Sequence, residues 1–324
     1  MKIRYLFLAA AILLALSGCS NKATNETESA SSEKLRVYTT VYPLQYFTER
    51  IGGDLVDVQS IYPPGTDEHV FEPTQKDMMS LSKADLFFYI GLGLEGFVQK
   101  TEKTLQNEPV HFVPVADAID PEELEAGHSH EHGHEGHSEE EEAHSEEEES
   151  AVDPHVWISP FLSTLLAEKI KDELSDELPE HAAQFEENFS VLYDELEALD
   201  RQYKTMADES PNKTFFVSHA AFGYLANTYG LQQLAVSGLD SQNEPSQKQL
   251  AGLVKEAKEK DIHYILFEQN VSSKLAEVIQ KELNAETLTL HNLSVLTDED
   301  IKNKEDYFSL MERNLQVLEK ALQN

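Results

Sequence analysis

The apolar positions divide the chain into two stretches of strand–helix alternation with a polar interruption between them. From Lys34, LRVYTTVYPL alternates as a strand entering a core, and Gln45 to Gly52 has the spacing of a short helix. LVDVQSIYP predicts a second strand, ended by the turn residues Pro63, Pro64 and Gly65, and PTQKDMMSLSKA predicts a helix. DLFFYIGLG is a near-continuous apolar run closed by glycines, as expected of a strand buried on both faces of a parallel sheet. VHFVPVADAI predicts one more short strand.

After the interruption, FLSTLLAEKIKDEL predicts a helix that stops before Pro179. Phe185, Phe189, Leu192, Leu196, Leu199 and Tyr203 then step by three and four, with charged residues between them. That is one apolar stripe on a helix of roughly 30 residues, from about residue 179 to 208, with Pro179 in its first turn. At 1.5 Å per residue such a helix is about 45 Å long, more than one small lobe needs, so it is expected to bridge two. Beyond Pro211 and Asn212 the alternation resumes through KTFFVSHAAFGYLANTYG, LQQLAVS, SQKQLAGLVKEAKEK, IHYILFE, SKLAEVIQKELN and ETLTLHNLS to a closing helix. The expected fold is therefore α/β: two lobes, residues 34–160 and 211–324, each with a mostly parallel sheet, joined through 161–210 by one long rigid helix.

The first residues belong to neither lobe. Lys2 and Arg4 precede an apolar run from Tyr5 to Leu16 that is too short for a confident membrane span and suits a signal peptide over residues 1–18. Its ending, Leu16-Ser17-Gly18-Cys19, resembles a bacterial lipobox, which makes Cys19 the expected lipidated residue. Residues 19–33 read as a lipid anchor and flexible tether, placing the folded part on the outer face of the cell membrane. Cys19 is the chain's only cysteine, so no internal disulfide is available.

A formal net charge of −35, from 60 acidic and 25 basic side chains, excludes nucleic acid as a partner and suits a surface that concentrates cations. Residues 121–152 have almost no apolar content to bury and are expected to lack a fold. Within them GHSHEHGHEGHSEEEEAHSEEEE holds His128, His130, His132, His134, His137 and His144, six of the chain's 13 histidines. These are an auxiliary, weak and shifting set of metal ligands, because ordering entropy opposes each arrangement.

Seven histidines remain, and three of them stand in loops at the ends of predicted strands: His69 in PPGTDEHVFEP, His155 in VDPHVWISP and His219 in FFVSHAAFGY. In α/β sheets such loops converge at the carboxyl ends of the strands. Separations of 86 and 64 residues exclude a local finger-type hairpin and imply ligands gathered by folding. His111, His181, His263 and His291 are read as structural. Glu268 in FEQN is a candidate to orient an imidazole, or an acid at a helix start. Trp157 and Phe222 are expected to pack around the site.

TDEHVFEPTQKD, DPHVWISP and SHAAFGYLANTYGLQQLAVSGLDSQNEPS together resemble the zinc-specific solute-binding lipoproteins of bacterial ABC importers. The resemblance runs from the first strand to the last helix. It implies that His69, His155 and His219 hold one divalent metal in a cleft between the lobes, with Zn²⁺ as cargo rather than catalyst. It also implies a monomer that serves a membrane permease and its ATPase. A manganese carrier is expected to have a carboxylate where His219 stands, and imidazole suits Zn²⁺. Relatives place a glutamate in a PLEGLT-like segment; the matching stretch here is NLSVLT, with Ser294 at that place. The fourth ligand is then water, Glu68 or Asp298. Other metals, a zinc hydrolase and a surface metal buffer or adhesin are the competing readings. A hydrolase lacks support in an HExxH motif or an accompanying nucleophile.

Overall fold

The computed structural model describes residues 34–124, 152–241, 245–270 and 273–323. The expected signal peptide, Cys19, the tether and the histidine-rich tract lie outside the described residues. Four strands, β1 (Leu35–Thr39), β2 (Val56–Ser60), β3 (Leu86–Tyr89) and β4 (His111–Pro114), form a parallel sheet in the order β2-β1-β3-β4. Helices α1 (Tyr42–Gly52), α2 (Gln75–Leu81) and α3 (Val98–Thr104) lie among them in the chain. A second parallel sheet repeats that order as β6-β5-β7-β8, from β5 (Thr214–His219), β6 (Gln232–Ser237), β7 (Tyr264–Phe267) and β8 (Glu286–Thr289). Its helices are α6 (Gly223–Thr228), α7 (Gln247–Glu259), α8 (Lys274–Leu283), α9 (Asp298–Asn303) and α10 (Tyr307–Leu322). Between the sheets run α4 (Pro160–Glu177) and α5 (Ala182–Glu209).

Local chemistry explains the boundaries. β3 buries Leu86, Phe87 and Phe88 without exposure, as a strand covered on both faces must. Thr74 and Asp77 form a reciprocal capping box at the start of α2. Ser159 caps α4 ahead of Pro160, whose missing N–H costs nothing at a helix start. The long helix begins at Ala182 rather than at Pro179. Proline holds Leu178 outside the helical region, and Pro179–His181 form a separate 3₁₀ turn. The α3 helix, VQKTEKT, carries too few apolar residues for periodicity to disclose it.

All six stripe residues of α5 are buried. Toward its start, Asn188 Nδ2 donates to the Ile51 carbonyl of α1 at 2.8 Å, and Glu195 pairs with Arg50 at 2.8 Å. Toward its end, Tyr203 donates to the Met311 carbonyl of α10 at 2.8 Å and stacks on Tyr229. One apolar core consequently runs from the first sheet through α4 and α5 to the inner face of β5, marked by Phe215 and Val217. Phe216, on the alternate face, belongs to a smaller cluster with Leu234, Ile265 and Ile279 under α7 and α8. Among the described residues, no helix is long and apolar enough to cross a membrane.

Behind β1 and β3, the buried Glu95 accepts from the Thr40 hydroxyl and the Ile90 and Gly91 N–H groups. Burial pushes its carboxyl up to about 7 against those three donors.

Candidate metal centre

Each of the three histidines is set by a short local device. His69 occupies a single 3₁₀ turn, Glu68–Val70, between β2 and α2, where Asp67 Oδ1 accepts the His69 backbone N–H at 3.0 Å. The same D-x-H arrangement recurs before α4, where Asp153 Oδ1 accepts the His155 backbone N–H at 2.9 Å. That oxygen also lies 2.8 Å from His155 Nδ1. Tyr224 donates to the Asp153 carbonyl at 2.9 Å, and a Cβ on Gly223 would stand 2.7 Å from Asp153 Oδ2. Glycine there lets the Asp153 loop seat directly against α6. His219 ends β5, with Nδ1 3.2 Å from Glu268 at the end of β7.

Folding brings the three rings together. One nitrogen from each lies within 4.8 Å of the others, and the Nε2 atoms of His69 and His155 are 3.3 Å apart. Ring centroids are separated by 5.0 to 5.3 Å. Zn–N bonds of 2.0–2.1 Å in a tetrahedron require nitrogens about 3.4 Å apart. The pair already at 3.3 Å meets that requirement, and an all-imidazole donor set suits a borderline cation. A carboxylate against Nδ1 of His155 holds the proton there, so Nε2 turns its lone pair into the cluster.

His219 is held differently. Its Nδ1 faces Glu268 and its Nε2 lies 2.9 Å from the Leu239 carbonyl, so both ring nitrogens face acceptors. Burial draws its pKa down, but the charge and hydrogen bond of Glu268 and the Leu239 carbonyl prevail and raise it to about 9. For His69, burial followed by the neighbouring His155 and His219 lowers the value to about 2, which leaves a neutral donor. A cation bound at this ring would have to displace its proton and its contact with the Leu239 carbonyl.

Glu68 is buried, yet its carboxylate does not join the three nitrogens. Asn292 Nδ2 approaches its Oε1 at 3.3 Å, and Asn270 Nδ2 its Oε2 at 3.4 Å. Burial lifts its pKa to about 7 against the opposing pull of its own backbone N–H and the Ser294 hydroxyl. Asp298 is exposed in the first turn of α9. Trp157 is fully buried, 5.3 Å from the His155 ring, and its indole N–H donates to the Asn292 carbonyl at 2.7 Å. Phe222 is fully buried at the N-cap of α6. His291 pairs internally with Asp300 at 3.2 Å. His111 and His263 are exposed, and His181 sits in the 3₁₀ turn before α5, so none of these four joins the cluster.

Sequence reasoning passed over Asp153, Asn270, Asn292 and the Leu239 carbonyl. Only Asp153 left a signal, the D-x-H spacing shared by TDEH and VDPH. The others act across 20 to 224 residues of sequence.

The family model described as "Zinc-uptake complex component A periplasmic" matches residues 37–321. The chain belongs to that family. It is 37% identical over 323 residues to the zinc-binding lipoprotein AdcA of Streptococcus pneumoniae, covering 99% of this chain but 61% of that protein. It therefore spans about three fifths of the length of the streptococcal relatives it matches. With the high-affinity zinc uptake system protein ZnuA of Bacillus subtilis it shares 37% identity over 317 residues, covering 98% of this chain and 97% of the relative. The crystal structure of the Zn(II)-bound ZnuA-like domain of Streptococcus pneumoniae AdcA superposes with a TM-score of 0.72 at 34% identity. That match covers 90% of this chain and 100% of the domain. Members of this family are solute-binding components, and the architecture of two four-stranded parallel sheets with helices is the one this chain shares with them.

Proposed function

We propose that this protein captures Zn²⁺ outside the cell and delivers it to the permease of an ABC importer. The observation that carries the reading is the convergence of His69, His155 and His219, drawn from three distant loops, on a point within reach of all three. The rings supply neutral nitrogen donors, Asp153 and Glu268 orient two of them, and the fourth position is left to water or to Glu68. In this reading the metal is cargo. Names and titles of the relatives, which speak of zinc binding and zinc uptake, support the same reading.

In this reading the chain is a monomer. Residues 1–18 are removed, Cys19 carries the lipid, and residues 19–33 tether the two lobes to the outer face of the membrane. The histidine-rich tract collects ions weakly. Metal titration of the purified protein tests the assignment: one tight Zn²⁺ site per chain, abolished in His219→Ala. Retention of that site in the variant would refute it.

A further inference from the structure

We infer that Ser241 latches a short strap, Leu239 to Ser241, that runs from His219 to the His69 turn and sets how fast the ion enters and leaves. The inference rests on the zinc-capture reading. The strap begins beside one ligand. β6 pairs with β5 as far as Ser237, opposite His219, so the chain leaves the sheet next to that ring. Ala220 N–H donates to the Gly238 carbonyl at 3.4 Å, and one residue further the Leu239 carbonyl accepts from His219 Nε2 at 2.9 Å. Glu268 holds Nδ1, so Nε2 is the nitrogen left for a metal, and the carbonyl lies in the direction an ion would take.

The strap ends beside another ligand. Ser241 Oγ donates to Asp67 Oδ2 at 3.0 Å, across 174 positions of sequence. Oδ1 of the same carboxylate accepts the His69 backbone N–H. Residues 239–241 therefore span two ligands that belong to loops of different sheets. They do so on the side where the site is open, because His155 and His219 have no exposed surface and His69 is partly exposed. Leu239, Asp240 and Ser241 are themselves half-buried.

The two ends answer differently to an ion. One bound at about 2.0–2.1 Å from Nε2 takes the place toward which the Leu239 carbonyl now points. The carbonyl can turn aside by rotation of the peptide unit between Leu239 and Asp240, with Gly238 adjoining to absorb the change in backbone angles. Ser241 lies beyond that unit and keeps its bond to Asp67. The loaded site thus stays strapped, and passage in either direction requires the hydroxyl to let go. Elsewhere the His69 turn is joined to loops of the second sheet by Gly65 N–H on the Leu296 carbonyl at 3.1 Å and by Asn270 Nδ2 on the Thr66 carbonyl at 2.9 Å. Those bonds hold the turn in place when the latch opens. Ser241 is accordingly a positioning residue that acts through Asp67 and touches no metal. A bond present in the empty and loaded states alike shifts the equilibrium between them little, but it adds to the barrier that separates them.

Stopped-flow mixing tests this. The fluorescence of Trp157, the chain's only tryptophan and 5.3 Å from the His155 ring, follows Zn²⁺ association, and an excess of chromophoric chelator follows release. Ser241→Ala should raise both rates by about fivefold, the weight of one hydrogen bond to a charged group, and change the equilibrium Kd by less than about twofold. Ser241→Thr keeps the hydroxyl and should restore both rates. In Ser241→Ala/Asp67→Ala, release should be no faster than in Asp67→Ala alone, since both substitutions remove the same bond. Unchanged rates in Ser241→Ala, a loss of affinity carried by release alone, or effects that multiply in the double variant would each overturn the inference. A wild-type protein with no tight Zn²⁺ site defeats the capture reading itself, whereas a tight site with unaltered exchange in Ser241→Ala defeats only the strap.

Discussion

His155 and His219 enter the metal centre without exposed surface and with a carboxylate against Nδ1, whereas His69 is partly exposed and is positioned through its backbone N–H. The first two rings have few rotamers open to them before metal arrives. The third loses more freedom when it binds. Two of the three rings are thus preset by a buried carboxylate, and the third is left freer on its own short turn. This contrast assigns unequal weight to residues that look alike in the sequence.

The sharpest way to break the contrast is to remove the carboxylates. Glu268→Gln and Asp153→Asn should each weaken Zn²⁺ by about 10- to 100-fold, the usual consequence of removing an imidazole's supporting acid. Isothermal titration at fixed pH measures this, and a change below twofold in both variants would mean that the buried rings are held by packing alone. Proton competition sharpens the same contrast. With His219 raised to about 9 and His69 lowered to about 2, the proton that zinc displaces comes from His219. Zn²⁺ affinity should rise by about tenfold per pH unit from pH 7 toward 9, and Glu268→Gln should flatten that slope.

Metal-free stability runs the opposite way. A histidine whose folded value is raised contributes stability fully present below its unfolded value of 6.5 and lost as pH climbs through 9. Thermal melts of the metal-free protein should therefore decline over the window in which zinc binding tightens. The smallest effect belongs to the looser ring. Asp67→Ala removes the cap on the His69 N–H, worth about 1 kcal/mol, together with the bond from the Ser241 hydroxyl, and should weaken Zn²⁺ by about fivefold to tenfold, read by isothermal titration.

Much of the architecture was legible because it is written in local periodicity. The LFFY run of β3 and the stripe from Phe185 to Tyr203 have only one comfortable burial each. The expectation that all three histidines stand at strand ends holds for His69 after β2 and His219 at the end of β5, whereas among the described residues His155 stands ahead of α4 with no strand ending beside it. What stayed hidden is chemistry made by closure of the chain: the Leu239 carbonyl on His219, and Asn292 between Glu68 and Glu268. A backbone oxygen has no letter in a sequence, and an asparagine in a loop carries no period. Pro179 misled for the opposite reason, since a first-turn proline and a proline one turn earlier look identical in one dimension.

The α5 helix has a further consequence for signalling. It is anchored at one end to Ile51 and Arg50 and at the other to Met311, so rotation of one sheet against the other would tear its buried stripe out of the core that both sheets share. On the zinc-capture reading, loading is expected to leave the outline nearly unchanged. On that reading, a receptor would then discriminate the empty and filled forms by the posture of a few loops around His69 and Leu239.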